Sequence, residues 1–554
     1  MINKVTIHRF KRFKKVEFEL PGHIVLAGPN NMGKTTLLQA IAAWGLALNR
    51  WKEVADPHKH KGAYTRAPLA RQAFSAVPLR AFDLLWNQRS TGGPIEIEVS
   101  SDQGWTIGME FISDSTEQVY VRPMKTTDPK VLLSKDLMET VYIPPMTGLS
   151  TEEPAYRRPK LDQLLGQGKP GEIIRNLLVE AHESEEAWSE LTKCIQRMFG
   201  YEILPPNSSG PDIVAEYREK PNGPRLDVAS AGSGFQQVLM LLAFLHTRAK
   251  SVLLLDEPDA HLHVILQDVI YSELHSVALK KQSQLIIATH SEVIINSVEP
   301  RLLCAMLARP RLLETVADKA SLVSALRVLS PIDIMQAVEA PGILYLEGHT
   351  DLNILREWAS ILKHPAYETL TTKLFWQKTV AQMRDGGPGV KAREHYEALS
   401  LVKKDLPGLE LLDGDAHPDI PETEITGKGL QRLRWRRYEI ESYLLHPDAL
   451  ARYVEKMVGS EREQGTAAAP HTADLREYFE DNLPPAVIRD PLGDHAFLNS
   501  TKARTEILPP MLAAAGLPGV PYTEYHEIAA VMLPEEIHPE VTEKLDAIQR
   551  AFGL

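Results

Sequence analysis

The chain opens on alternation. In "VTIHRF" and "KVEFEL" apolar and polar residues take turns, which predicts two half-buried strands. "HIVLAG" is a short apolar run that predicts a buried strand, and "GPNNMGKTTLLQAIAAWGLAL" after it is a glycine-bounded turn entering an amphipathic helix. Residues 50–90 are polar, with several basic positions and little periodicity, and read as an insertion. "PIEIEVSSDQGWTIGMEF" predicts a hairpin, and "METVYIPPM" a strand stopped by two prolines. The stretch "GEIIRNLLVEAHESEEAWSELTKCIQRMF" has helical spacing over about 170–200. "SVLLLDEP" and "SQLIIATHS" are continuous apolar runs ending in polar groups, the pattern of central parallel strands. A proline-punctuated helical passage, "LVSALRVLSPIDIMQAVEAPG", marks a boundary near residue 335, and "ILYLEGHTDLNILREWASIL" then begins a second α/β pattern. The expected organisation is α/β throughout: a first domain over 1–335, a second over 336–450, and a mostly helical region over 451–554.

Length agrees with that division, since 554 residues exceed one ordinary core and suggest two to four compact units. Lys and Arg total 61 against 73 Asp and Glu, a formal charge of -12, so the molecule as a whole is not a basic nucleic-acid binder and any such contact must be local. Cys194 and Cys304 are far apart, which argues against a disulfide framework or zinc cluster and suits a reducing compartment. The N-terminus lacks the uninterrupted apolar core of a signal peptide, and no run approaches the roughly 20 apolar residues of a membrane span. The expectation is a soluble, cytoplasmic protein with no membrane partner.

Two places carry recognisable chemistry. "GPNNMGKT" fits the phosphate-loop pattern, with Gly28, Gly33, Lys34 and Thr35 in the defining positions and Pro29, Asn30, Asn31 and Thr36 around them. Glycines let backbone N–H groups wrap the phosphates of ATP, Lys34 neutralises β/γ charge, and the Thr35 hydroxyl is placed for Mg²⁺. In "SVLLLDEPDAHLH", Asp256 at a strand end can hold the magnesium shell and Glu257 can polarise the attacking water. His290, ending the next apolar strand, is placed to sense the γ-phosphate. "SAGSGFQQ" supplies a third component, a glycine-rich turn with Ser233 and Gly234 just before a helix.

That order (phosphate loop, glycine signature, Asp-Glu strand, histidine strand) resembles ABC-type ATPases, in the branch that includes DNA-repair and overcoming-lysogenisation-defect (OLD) proteins. The family pattern is Leu-Ser-Gly-Gly; here its serine position falls on Gly232, with Ser233 one place later. In such enzymes the signature of one unit completes the nucleotide site of another. One copy of each element per chain therefore implies a homodimer or higher homo-oligomer.

The second place is "LLDGDAH", in which Asp413 and Asp415 follow an apolar run, where loops can aim both at one metal. It pairs with "ILYLEGHTD", a strand ending in Glu347, with Asp351 at the start of a helix. A glutamate at one strand end and Asp-x-Asp at another resemble the TOPRIM fold. The resemblance implies that Glu347, Asp413 and Asp415 hold Mg²⁺ for phosphodiester cleavage, with Asp351 as a further metal-binding residue. "WRRYEIESYLL", with Arg436, Arg437, Glu439 and Glu441, resembles the acidic-aromatic segment of TOPRIM nucleases in antiphage systems; it implies Glu441 as a further metal ligand, with Glu439 in reserve. In "NSTKARTEIL" Lys502 takes the place of the lysine that stabilises the transition state in those families.

The whole chain thus resembles ATP-dependent nucleases of the OLD type and their relatives in the PARIS and Gabija defence systems. This implies an ATP-controlled, Mg²⁺-dependent endonuclease acting on DNA or tRNA, with a phage-encoded trigger as a further partner. The competing readings are a non-catalytic ATP-switched sensor or scaffold, which needs no intact set of carboxylates, and a DNA-repair ATPase, which needs no second acidic centre.

Overall fold

The structure is a computed structural model that describes residues 1–54, 64–132, 138–146, 148–307, 310–379, 390–414, 421–426, 429–461 and 468–552. Its described residues divide into two compact units, Met1–Val323 and Ser324–Leu554.

The first unit is built on two six-stranded sheets. The alternating N-terminal segments form the strands Ile2–Phe10 and Phe13–Glu19, which pair antiparallel with Val5 opposite Phe18. Ile95–Ser101, Thr106–Ser113, Gln118–Pro123 and Ala67–Ala70 complete this antiparallel sheet. The supposed insertion over 50–90 therefore contributes an edge strand. Its pattern is weak because Ala67–Ala70 is only four residues long and buries only alternate ones.

The continuous apolar runs make the other sheet, in the order Arg311–Leu312, Leu303–Ala305, Ile24–Ala27, Gln284–Thr289, Ser251–Asp256, Glu139–Ile143. It is parallel except at the Arg311–Leu312 edge. Strands Ile24–Ala27, Ser251–Asp256 and Gln284–Thr289 are buried at every residue, as two covered faces require. Helix Lys34–Val54 packs between the two sheets. It buries most of its length, and the Trp44 indole N–H donates to the Ile107 carbonyl of the antiparallel sheet at 2.9 Å. The 170–200 region forms helices Ile174–His182 and Glu185–Phe199; Ser184 caps the second by accepting from the Ala187 N–H, and Gly200 ends it in the left-handed conformation.

The second unit holds a five-stranded sheet in the order Phe375–Lys378, Ile343–Leu346, Gly408–Leu412, Leu430–Arg434, Thr423–Thr426, parallel except for the last strand. Helix His349–Ile361 follows the strand Ile343–Leu346 directly. Helices Pro447–Glu461, Ala468–Asn482, Leu508–Ala514 and Pro539–Phe552 follow the sheet. They share one hydrophobic core with it: Leu344, Leu409, Leu433 and Trp358 are packed in the same cluster as Leu450, Leu475, Met511 and Phe552. Residues beyond 450 are thus part of the body of this unit. Among the described residues, no single helix is long and apolar enough to cross a membrane.

Candidate functional sites

In the first unit the phosphate loop joins strand Ile24–Ala27 to helix Lys34–Val54. Asn31 (φ 63°) and Gly33 (φ 98°) take left-handed conformations that let the loop close tightly. Gly28 has no room for a side chain, since a Cβ there would meet the Met306 carbonyl oxygen at 2.3 Å. A Cβ on Gly33 would meet the Phe13 ring at 2.6 Å and Arg12 Cδ at 3.0 Å, so the turn between the first two strands lies against the loop. Lys34 Nζ donates to the carbonyls of Gly28 (2.6 Å) and Pro29 (2.9 Å), the hold a phosphate would replace, and burial lowers its pKa.

Asp256 ends its strand next to this lysine. The Thr35 hydroxyl donates to its Oδ1 at 3.0 Å and the Tyr142 hydroxyl to its Oδ2 at 2.9 Å, while burial raises its pKa. Thr35 and Asp256 are therefore already in contact, as a shared magnesium shell requires. Glu257 follows in a left-handed conformation (φ 49°), with its N–H donating to the Ala288 carbonyl at 2.8 Å. A glutamate at such φ is strained, and its carboxylate lies 3.4 Å from His290 Nδ1. Thr289 on the same strand end donates to Asp259 at 2.7 Å.

The glycine signature begins helix Ser233–Thr247. Gln236 pins the turn before it by donating to the carbonyls of Val228, Ala229 and Ala231 at 3.0–3.2 Å. Gly232 and Ser233 are exposed, and a Cβ on Gly234 would approach His261 and Leu262 at 3.4 Å. Among the described residues no hydrogen bond joins Ser233 or Gly234 to the phosphate loop. Pro29, Asn30 and Thr36 lie on or just beyond that loop, with Asn30 and Asn31 exposed.

In the second unit Glu347 and Asp413 end the neighbouring parallel strands Ile343–Leu346 and Gly408–Leu412. The Asp413 N–H donates to Glu347 Oε1 at 2.9 Å, and Asp413 Oδ1 accepts from the Ile440 N–H at 3.1 Å. Gly414 must be glycine, because a Cβ would meet the Arg437 carbonyl oxygen at 2.2 Å. Asp415 lies outside the described residues. Asp351 caps its helix, accepting from the Gly348 N–H at 3.0 Å and the Thr350 hydroxyl at 3.0 Å; burial raises its pKa.

Glu439 and Glu441 flank the start of the turn Ile440–Leu444. Glu439 accepts from the Arg504 N–H. Glu441 is 1% exposed, and neither carboxylate oxygen has a hydrogen-bond partner. Its contact with charge is the Arg504 guanidinium, 3.9 Å from Oε1. Burial and the neighbouring Glu439 carboxylate push its pKa up to about 8. Arg504, stacked over the Tyr522 ring at 5.6 Å, has its own pKa raised by Glu441, Glu439, Asp413 and Asp351 against the effect of burial. Four described acidic residues, Glu441, Glu439, Asp413 and Asp351, thus share a neighbourhood organised around one arginine. No three of their carboxylates converge within 4.8 Å among the described residues.

Lys502, by contrast, is exposed, with Nζ 5.9 Å from the Tyr438 ring. Of the arginines before the turn, Arg437 is buried and braces it, donating to the Ser442 carbonyl at 3.0 Å and the Pro491 carbonyl at 2.8 Å. Arg436 reaches Glu422 and Glu543 instead. Sequence reasoning missed Tyr142, Asp259, Arg12 and Phe13 at the first site and Arg504 at the second. A basic residue in "TKARTEIL" was legible; which of its two long cations turns inward depends on the turn Ala503–Ile507, which spacing does not reveal.

Residues 143–296 match the family model described as "AAA domain, putative AbiEii toxin, Type IV TA system". The match contains Asp256, Glu257, His290 and the glycine signature and begins after the phosphate loop. No curated protein matches the sequence. Similar solved structures include the SMC head domain from Thermotoga maritima, at 14% identity over 57% of this chain and 99% of that one, with a TM-score of 0.31. Another is the Smc head domain with an extended coiled coil bound to the C-terminal domain of ScpA, derived from Pyrococcus furiosus, at 14% identity over 58% and 97% with a TM-score of 0.34. The family match, together with the phosphate loop that precedes it, supports a P-loop ATPase domain in the N-terminal unit.

Proposed function

We propose that the chain is an ATP-controlled, Mg²⁺-dependent nuclease of the OLD type, in which the second unit is a TOPRIM centre that cuts a phosphodiester in DNA or tRNA during antiphage defence. The observation that carries this reading is Glu441, a carboxylate taken out of water with both oxygens unpartnered and with further carboxylates around it. Such a group costs stability unless a cation or proton compensates it, and an all-oxygen donor set is the kind Mg²⁺ selects. Glu347, Asp413, Asp415 and Glu441 would hold the metal, with Asp351 fixing the turn behind Glu347. Bound there, Mg²⁺ supplies an activated water and neutralises charge on the leaving oxygen. Arg504 holds the acidic groups together before metal arrives, and is better placed than Lys502 to meet a scissile phosphate.

The first unit supports the control. Thr35 and Asp256 are disposed for the magnesium of ATP, Glu257 and His290 for the attacking water and γ-phosphate. Exposed Ser233 and half-buried Gly234 serve the site of a second copy, so hydrolysis belongs to a homodimer or larger assembly. The toxin and toxin–antitoxin wording of the matched family agrees with a defence role. The test is incubation of the purified protein with Mg²⁺, with and without ATP, on plasmid DNA and on total tRNA. Cutting of either by the native protein and by no Glu441→Gln variant is expected; equal cutting by both removes the second unit from the chemistry.

A further inference from the structure

A second set of metal-ligating groups lies in the same unit, apart from the acidic centre. His446 follows the turn Ile440–Leu444, Asp448 is in the first turn of helix Pro447–Glu461, and Glu536 closes the short turn Pro534–Glu536. One ligand atom from each falls within 4.8 Å of the others, the single such set among the described residues. It offers one imidazole nitrogen and two carboxylates from two points of the chain, the segment 446–448 and Glu536.

Two details indicate a built arrangement. First, His446 Nδ1 is buried and has no hydrogen-bond partner, a state that costs free energy unless something occupies its lone pair. Second, Glu536 is 5% exposed and held from behind: Arg452 and the Leu533 N–H both donate to Oε2, which leaves Oε1 facing His446 Nδ1 at 3.8 Å. Outer partners of this sort orient metal-binding carboxylates. With metal–ligand bonds of about 2.1 Å, a separation of 3.8 Å corresponds to an angle of roughly 130°, wider than tetrahedral by a small side-chain adjustment. Asp448 is solvent-exposed and can swing in as the third ligand, with water filling the open position.

We propose that His446, Asp448 and Glu536 form a structural site for a divalent transition metal of the Zn²⁺ class. The imidazole nitrogen excludes Mg²⁺ and Ca²⁺ as the preferred ions, since those favour oxygen alone, and a mixed nitrogen and carboxylate set suits Zn²⁺, Co²⁺ or Mn²⁺. The bound ion would tie the start of helix Pro447–Glu461 to the Pro534–Glu536 turn, a link across nearly 90 residues of sequence, and would steady the segment that follows Glu441. The inference does not depend on the nuclease reading.

The experiment uses the full chain, free of nucleotide and stripped of metal, carrying Asp413→Ala and Glu441→Gln so that the acidic centre cannot contribute. After equilibration with Zn²⁺ and desalting, elemental analysis should find one equivalent, and Co²⁺ should give a visible absorption band. Adding His446→Ala or Asp448→Asn should abolish both and remove the Zn²⁺-induced rise in melting temperature; Arg452→Lys should weaken binding by about 10- to 100-fold. The metal-free melting temperature of each variant shows that it folds. Zn²⁺ content and melting shift unchanged by His446→Ala, or no metal retained by the parent, would mean that the three groups form only an ion-pair network around Arg452.

Discussion

Replacing Glu441 by glutamine separates a metal ligand from an incidental buried acid. The carboxyl of Glu441 is moved from an ordinary 4.5 to about 8 by burial first and the Glu439 charge second. Because the folded-state pKa is raised, this group favours folding fully below pH 4.5 and loses that contribution as pH climbs through 8. At pH 7 the unfolded chain releases the proton and the folded chain keeps it, which costs about 3 kcal/mol. Glutamine has the same shape and no proton to hold. In EDTA, Glu441→Gln should therefore melt higher than the native protein at neutral pH, by roughly 6–12 °C for a unit of this size when the whole penalty is recovered. The difference should shrink as pH falls toward 5. In saturating Mg²⁺ the order should reverse or close, because binding at about 100 times the dissociation constant adds roughly 2.7 kcal/mol to the native protein alone. Calorimetry at several pH values, with EDTA and with Mg²⁺, reads all of this. A variant less stable than native in EDTA, or one that gains as much from Mg²⁺ as native does, would refute the reasoning.

Other expectations are briefer. Lys34→Ala should lose ATP binding by isothermal titration, whereas Glu257→Gln should bind ATP and hydrolyse it at least ~100-fold more slowly, as removal of a general base does. Mixing Lys34→Ala with a Gly234→Asp variant should restore part of the phosphate release, since one composite site in the mixed dimer is intact; no recovery would count against a shared site. Gly28→Ala puts a Cβ 2.3 Å from the Met306 carbonyl oxygen and should cost at least about 1–3 kcal/mol of stability by denaturant titration along with ATP binding. Burial holds His23 and His246 neutral, with pKa values lowered to about 4. Their lowered folded-state values mean stability that is complete above 6.5 and lost as pH falls from there to about 4, so His246→Leu should flatten the acid limb of the denaturation profile.

The sequence shows the first site more fully than the second for a physical reason. A phosphate loop is contiguous, so Gly28, Gly33, Lys34 and Thr35 announce themselves, and the fully buried strands ending at Asp256 and Thr289 stand out as apolar runs. Tyr142 reaches Asp256 from a strand 114 residues earlier, and nothing local marks it. At the second site Glu347 and Asp413 are readable because both end apolar strands, and their pairing is visible only once those strands lie side by side. Arg504 joins Glu439 and Glu441 across more than 60 residues through a turn that has no periodic pattern. The region after 450 reads in sequence only as mostly helical, because amphipathic spacing says that a helix buries one face and does not say against what; in the structure Leu475, Met511 and Leu545 complete the core beside the sheet.

The central claim is that the carboxylates at the strand ends of the second unit carry nucleic-acid cleavage, separately from ATP hydrolysis in the first. Strand scission by the Asp413→Ala/Asp415→Ala protein, with Mg²⁺ and on whichever of DNA or tRNA the native protein cuts, tests it most directly, with phosphate release measured in the same samples. The account predicts no scission with ATP turnover near the native rate. Scission at the native rate would contradict it and reduce "LLDGDAH" to an acidic turn.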